Sequence, residues 1–94
     1  MYDIIIIGAG ISGATIAREL SKYNLKVIIL EKEFDVAMEQ TMANSAIVHS
    51  GHDPIPGTLK SRFNLLGNRM YKQMSKELDI PFMECGGMVL ATSK

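Results

Sequence analysis

The stretch Asp3-Ile-Ile-Ile-Ile-Gly-Ala-Gly-Ile-Ser-Gly13 decides the fold of this 94-residue chain. Its four consecutive isoleucines indicate a β-strand, and an unbroken apolar run is typical of a strand covered on both faces in a parallel sheet. Three glycines follow the strand, and helix-forming residues continue through 14–22. Residues 26–30 (Lys-Val-Ile-Ile-Leu) form a second apolar run. The first third of the chain therefore predicts a βαβ unit with a parallel sheet.

The three glycines have separate roles in a dinucleotide-binding turn. Gly8 permits the tight turn out of the strand, Gly10 leaves room for a pyrophosphate, and Gly13 lets the helix pack close to the sheet. The start of the helix adds unpaired N–H groups and partial positive charge. Glu31 ends the second strand, where its carboxylate can accept ribose hydroxyls and would repel the 2′-phosphate of NADP. The pattern predicts an α/β, Rossmann-like dinucleotide site and leaves NAD and FAD as alternatives.

The remaining sequence predicts four further elements. We expect a short helix over 35–40, a brief strand over 46–49, a long helix capped by Thr58, and a strand over 88–92. An apolar stripe with spacings of three or four residues marks the long helix, and we expect it to be core. The stripe residues are Leu59, Phe63, Leu66, Met70, Met74 and Leu78.

Composition narrows the function classes. Ten Lys+Arg balance ten Asp+Glu, which argues against a nucleic-acid or anionic-membrane binder that works by bulk charge. No apolar run reaches the roughly 20 residues of a transmembrane helix. Cys85 is the single cysteine, so an internal disulfide is excluded and a reducing, cytoplasmic compartment fits. We expect this cysteine to be a small packed residue.

A second segment separates the two cofactors. It reads Thr41-Met-Ala-Asn-Ser-Ala-Ile-Val-His-Ser-Gly-His-Asp-Pro-Ile-Pro-Gly-Thr-Leu-Lys60. Together with Asp3–Gly13 and Ile29–Lys32, it resembles the D-amino-acid-oxidase-like family of FAD-dependent oxidoreductases. Within that family the resemblance is greatest to the bacterial FAD-dependent glycerol-3-phosphate dehydrogenases.

The resemblance also implies a domain organisation. Because family members are several times longer, residues 1–94 would be the N-terminal part of an FAD-binding domain, truncated before the rest of that domain and the substrate domain. Residues 1–33 would be the βαβ unit and 34–57 a cofactor loop. Residues 58–94 would hold the long helix and the start of the substrate-domain strands. Uncovered strand edges in such a piece invite self-association.

Roles for individual residues follow from the same resemblance. The residues expected to hold FAD are Gly8, Gly10, Ile11, Ser12, Gly13, Glu31, Lys32, Thr41, Ser45 and Gly51. Thr41 and Ser45 match hydroxyl positions near the pyrophosphate and ribityl chain, and Asn44 would brace their loop. His49 matches the stretch beside the isoalloxazine and is the candidate catalytic residue, with a hydrogen-bonded structural histidine as an equal alternative. No metal site is expected, because the two histidines have only Asp53 beside them.

The loop also departs from the family pattern. Met42 and Ala46 stand where many relatives have Lys and Gly, and Glu39-Gln40 replaces a more usual Gly-Thr. Ala46 would narrow the approach of the flavin slightly. An acid at Glu39 would disfavour a pyrophosphate if its carboxylate pointed into the site. These changes bear on the geometry of the loop.

The resemblance implies that the complete protein oxidises glycerol 3-phosphate by hydride transfer to FAD, while a base takes the hydroxyl proton. L-2-hydroxyglutarate or an amino acid is an alternative substrate within the family. An NAD-dependent dehydrogenase is a second alternative, but it leaves the segment 41–60 unexplained. A third is that the isolated chain is an inactive structural module. The cationic side chains that bind the anionic substrate are expected beyond Lys94. The complete protein is expected to lie in the cytoplasm or peripheral to a membrane.

Overall fold

A computed structural model describes residues 1–92 of the chain. Within them the elements, in chain order, are β1 (Ile4–Ile7), α1 (Ile11–Leu20), β2 (Val27–Leu30) and α2 (Leu59–Glu77). The chain divides into two compact units, residues 1–46 and 47–94.

The first unit is built on a parallel pair of strands. β1 and β2 pair in a register that runs from Ile4 opposite Val27 to Ile7 opposite Leu30. The pairing continues past the last strand residue, because Gly8 N–H donates to the Leu30 carbonyl at 2.7 Å. Helix α1 connects the strands and packs against both. The predicted α/β fold class and βαβ unit are confirmed.

Helix α1 begins at Ile11, three residues earlier than the composition predicts. The reason is Gly10, which is extended (φ −73°, ψ −179°) and serves as the N-cap. Ser12 and Gly13 therefore belong to the first helical turn. The second half of the glycine pattern is the start of the helix itself, where N–H groups have no carbonyl one turn earlier to accept them.

Strand β1 is covered on one face only, so the prediction of a strand covered on both faces is wrong for the described residues. Ile6 is 8% exposed, whereas Ile5 and Ile7 are 59% and 87% exposed. Successive side chains of a strand point to opposite faces, and within residues 1–46 the single helix α1 covers one of them. The small core of this unit is formed by Ile6 and Ala9.

Three of the shorter predicted elements are not formed. Residues 35–40 are a series of turns, because Ala37 is left-handed (φ 61°) and interrupts a right-handed helix. Residues 46–49 are not a strand, since Ala46 is also left-handed (φ 52°). Residues 88–92 are without regular structure, so the strand predicted there is not formed, while the expected domain organisation stays a prediction. A strand needs a partner, and none lies beside these residues in the described part of the second unit.

The second unit contains α2, and its predicted cap is confirmed. Thr58 is extended, and its Oγ1 accepts a hydrogen bond from Ser61 N–H at 3.2 Å. At the other end Asp79 is left-handed (φ 52°), and Ile80 N–H donates to the Ser75 carbonyl at 2.8 Å. Neither helix of the described chain is long and apolar enough to cross a membrane.

The apolar stripe of α2 is formed but is not buried. Leu59, Phe63 and Met70 are each at least 60% exposed, so the expectation that the stripe is core is wrong for the described residues. No sheet or second helix within residues 47–92 packs on it. Cys85 is also exposed, which contradicts the expected packed position.

Candidate cofactor-binding site

Two adjoining cavities lie where β1 and β2 end and α1 begins. The first, of about 320 Å³, is lined by Ile7, Gly8, Gly10, Leu30, Glu31, Lys32, Glu33, Ala37, Met38, Glu39, Gln40 and Thr41. The second, of about 330 Å³, is lined by Ile7, Gly8, Gly10, Ile11, Ser12, Gly13, Gln40, Thr41 and Asn44. They share the glycine turn and Thr41, and together we call them the cleft. Ligands of open α/β sheets bind at this position, beyond the carboxyl ends of the strands.

Each glycine of the turn disfavours a side chain, Gly8 through its backbone conformation and the other two through close neighbours. Gly8 is left-handed (φ +99°), a conformation that glycine adopts without steric cost. A Cβ on Gly13 would lie 2.0 Å from the Gly8 carbonyl oxygen, so this glycine is what lets α1 approach the end of β1. A Cβ on Gly10 would lie 3.0 Å from Thr41 Oγ1. The three positions therefore differ in their reasons for being glycine.

Glu31 binds the backbone of the glycine turn. Its Oε2 accepts from Ala9 N–H at 2.6 Å. Its Oε1 accepts from the N–H groups of Lys32 at 2.8 Å and Glu33 at 3.0 Å. These hydrogen bonds, above all the one from Ala9, lower the pKa of the Glu31 carboxyl from its usual value. The group is therefore ionised at neutral pH and ties the end of β2 to the turn after β1.

Thr41 ties the following loop to the start of α1. Its Oγ1 accepts from Ile11 N–H, one of the orphan donors of the helix, at 2.9 Å. Asn44 braces this loop as expected, since its Nδ2 donates to the Thr41 carbonyl and its Oδ1 accepts from Ala46 N–H at 2.7 Å. The loop thus forms one wall of the cleft although it contains no regular structure.

Most of the residues predicted to hold FAD come together here. Those that line the cleft are Gly8, Gly10, Ile11, Ser12, Gly13, Glu31, Lys32 and Thr41. Ser45 is exposed and is not among the lining residues. Residues 37, 38 and 40 line the cleft without having been predicted. Their turn conformation has no periodic signal in the sequence that would have indicated this.

His49 and Gly51 belong to the second unit, and their roles toward FAD stay predictions. His49 Nδ1 lies 3.3 Å from Asp53 Oδ2, and its carbonyl accepts from Asn68 Nδ2 at 2.9 Å. Gly51 is left-handed (φ +94°), and a Cβ there would lie 2.4 Å from Leu65 Cδ2. Both residues thus have structural roles within their own unit. Across residues 1–92, no three His, Cys, Asp or Glu side chains are grouped to hold a metal ion.

The donors and acceptors of the cleft fit a dinucleotide. Orphan N–H groups at the start of α1 suit the oxygens of a diphosphate, and the glycines let those oxygens approach the backbone. The ionised Glu31 at the end of β2 suits the hydroxyls of a ribose. A helix start suited to anions beside a carboxylate suited to hydroxyls is what an adenine dinucleotide requires.

The comparisons with known proteins agree with this geometry. A 55% identical relative is the glycerol 3-phosphate dehydrogenase of Caloramator mitchellensis, matched over 97% of this chain and 19% of the relative. The glycerol 3-phosphate oxidase of Mycoplasma genitalium is 38% identical over 95% of this chain and 23% of the relative. The L-2-hydroxyglutarate dehydrogenase of Salmonella houtenae is 41% identical over 100% of this chain and 23% of the relative.

The chain spans about a fifth of the length of these relatives. The profile of the FAD dependent oxidoreductase (DAO) family matches residues 3–94, which is nearly the whole chain. FAD is therefore the cofactor, and the alternative of an NAD-dependent dehydrogenase is set aside. The chain belongs to the FAD dependent oxidoreductase family.

Proposed function

We propose that this chain is the N-terminal FAD-binding part of a dehydrogenase that oxidises glycerol 3-phosphate. The observation that carries the proposal is the cleft, in which the glycine turn, the start of α1 and Glu31 lie together. The 55% identical relative named for glycerol 3-phosphate supports this substrate. L-2-hydroxyglutarate is the second candidate, because relatives named for it are up to 41% identical over the chain.

In this proposal the diphosphate of FAD is bound by the first turn of α1. The N–H groups of Ser12 and Gly13 point out of the helix start and are suited to phosphate oxygens. Ile11 N–H already donates to Thr41 Oγ1. A hydroxyl that accepts one hydrogen bond still has its own proton to donate. Thr41 Oγ1 can therefore accept from Ile11 N–H and donate its own proton to a diphosphate oxygen.

Glu31 would bind the ribose with part of its capacity. An ionised carboxylate has about four acceptor positions, and three are occupied by the N–H groups of Ala9, Lys32 and Glu33. One ribose hydroxyl can be accepted without change. Accepting the second requires Glu31 to exchange one of these backbone hydrogen bonds.

The chain's own contribution to the reaction is binding, orientation and one candidate base. FAD, when bound, accepts the hydride equivalent, so the redox chemistry belongs to the cofactor. His49 is the proposed base for the hydroxyl proton. Asp53 Oδ2 can accept from Nδ1–H of His49, which would leave Nε2 as the basic nitrogen. The cations that hold the anionic end of the substrate are proposed to lie outside residues 1–94.

The substrate assignment is tested in the full-length protein by following flavin absorbance without oxygen. Glycerol 3-phosphate should bleach the flavin at a rate at least tenfold above that with L-2-hydroxyglutarate or amino acids. Faster bleaching by L-2-hydroxyglutarate would support the second candidate. A full-length protein that contains no flavin after gentle purification would contradict the proposal as a whole.

For the isolated 94-residue chain we propose that FAD binding is weak and that activity is absent. The apolar side chains of Ile5, Ile7 and the α2 stripe are exposed, and the chain spans about a fifth of its relatives. Each strand of the two-stranded sheet pairs on one edge within the described residues, which favours self-association. Titration with FAD and sedimentation velocity test this, and sub-micromolar binding by a monomer would contradict it.

We propose a cytoplasmic location for the complete protein.

A further inference from the structure

Lys32 and Glu39 meet on the wall of the cleft. Lys32 follows β2 after Glu31, and Glu39 lies in the turn segment that precedes Thr41. Lys32 Nζ and Glu39 Oε1 are 2.5 Å apart, and the two side chains are 69% and 60% exposed. Both residues line the same cavity as the glycine turn. An ion pair therefore stands on the wall of the cleft that also includes Gly8 and Gly10 of the glycine turn.

The charges on this cavity wall are unbalanced. Its lining includes the carboxylates of Glu31, Glu33 and Glu39 and the single ammonium of Lys32. Glu31 is already bonded to three backbone N–H groups. Lys32 Nζ is 3.7 Å from Glu33 Oε1, farther than from Glu39. Its hydrogen bond to Glu39 raises the pKa of Lys32, which keeps the ammonium charged. The ammonium of Lys32 therefore balances the charge of Glu39 more closely than that of Glu33.

An unpaired carboxylate beside a diphosphate would oppose binding, since like charges repel over several ångströms even in water. Position 39 of the cavity wall is an acid, and its carboxylate accepts a hydrogen bond from Lys32 Nζ. We infer that Lys32 is a positioning residue, which holds the Glu39 carboxylate away from the diphosphate of FAD. The inference rests on the proposed placement of FAD in the cleft.

A direct contact between Lys32 and a phosphate is the competing explanation, and two substitutions separate them. If Lys32 acts through Glu39, then Lys32→Gln releases the carboxylate and weakens FAD binding. Glu39→Gln in the same chain then removes the released charge and restores binding. If Lys32 contacts the cofactor itself, then Lys32→Gln costs the same affinity whether residue 39 is Glu or Gln.

The test measures the dissociation constant of FAD in the full-length apoprotein, from the quenching of flavin fluorescence. Lys32→Gln should weaken binding about two- to fivefold at low salt, and the loss should shrink in about 0.5 M salt. Glu39→Gln and the double variant should stay within about twofold of wild type. Lys22→Gln is the matched control, because Lys22 lies beyond the far end of α1 and pairs with Glu19 at 2.5 Å. It should leave the dissociation constant of FAD unchanged.

Three results would overturn the inference: no loss in Lys32→Gln, no restoration in the double variant, or an equal loss in Lys22→Gln. Melting temperatures of all four variants, taken without FAD, separate a lost fold from a lost contact. Failure of the wild-type protein to bind FAD would instead defeat the proposed function. Wild-type binding without restoration defeats the role of Lys32 alone.

Discussion

Replacing Gly13 with alanine places a methyl group 2.0 Å from the carbonyl oxygen of Gly8. Ordinary contact begins at 3.4 Å, so the start of α1 and the end of β1 must separate by about 1.4 Å. The obstacle is backbone, which cannot rotate away as a flexible side chain could. Overpacking of this kind costs about 1–3 kcal/mol. The higher helix propensity of alanine offsets up to about 1 kcal/mol of this cost.

Gly67→Ala is a matched control, since Gly67 also lies within a helix but has open space around its Cβ position. It should stabilise the protein by up to about 1 kcal/mol. Urea unfolding of the apoprotein, followed by circular dichroism, gives both values. Flavin fluorescence should show FAD affinity at least tenfold lower in Gly13→Ala and unchanged in Gly67→Ala. Equal stability and equal FAD affinity of the two variants would refute the assigned role of Gly13.

Three further predictions concern single side chains. Thr41→Val should weaken FAD binding about tenfold, because it removes the hydroxyl proton and leaves Ile11 N–H without its acceptor. Thr41→Ser should bind FAD nearly as the wild type does. Equal losses of affinity in the two variants, measured by FAD titration, would contradict the role of the Thr41 hydroxyl. The lowered pKa of Glu31 means that its contribution to stability is present above about pH 4.3 and lost as the pH falls further. Glu31→Gln should therefore flatten the acid limb of a melting-temperature profile, and an unchanged slope would argue against it. Thr58→Ala should destabilise α2 by about 0.5–2 kcal/mol in urea unfolding, with Thr58→Ser as the control.

The parts of the fold that the sequence predicts are those with strong local signals. The isoleucine run, the glycine turn and the apolar run over 26–30 place β1, α1 and β2 within one to three residues at their starts. Thr58 predicts the start of α2, because a capping side chain and a long apolar periodicity act together. These signals depend on neighbours in sequence, so they need no knowledge of the surrounding structure.

The parts that fail depend on distant residues or on unusual backbone. Left-handed Ala37 and Ala46 end any regular structure in their segments, and alanine carries no sequence signal for that conformation. Burial of the α2 stripe needs a packing partner that residues 47–92 do not supply. The pair between Lys32 and Glu39 could not be predicted either, since it joins residues seven apart across irregular turns. Eight of the ten residues predicted to hold FAD line the cleft, whereas Ala37, Met38 and Gln40 line it without a sequence signal.

The most direct test is a crystal structure of the full-length protein with FAD bound. We expect diphosphate oxygens within about 3 Å of the N–H groups of Ser12 and Gly13, and a ribose hydroxyl on Glu31. A diphosphate bound elsewhere, with those N–H groups turned to protein or water, would contradict it.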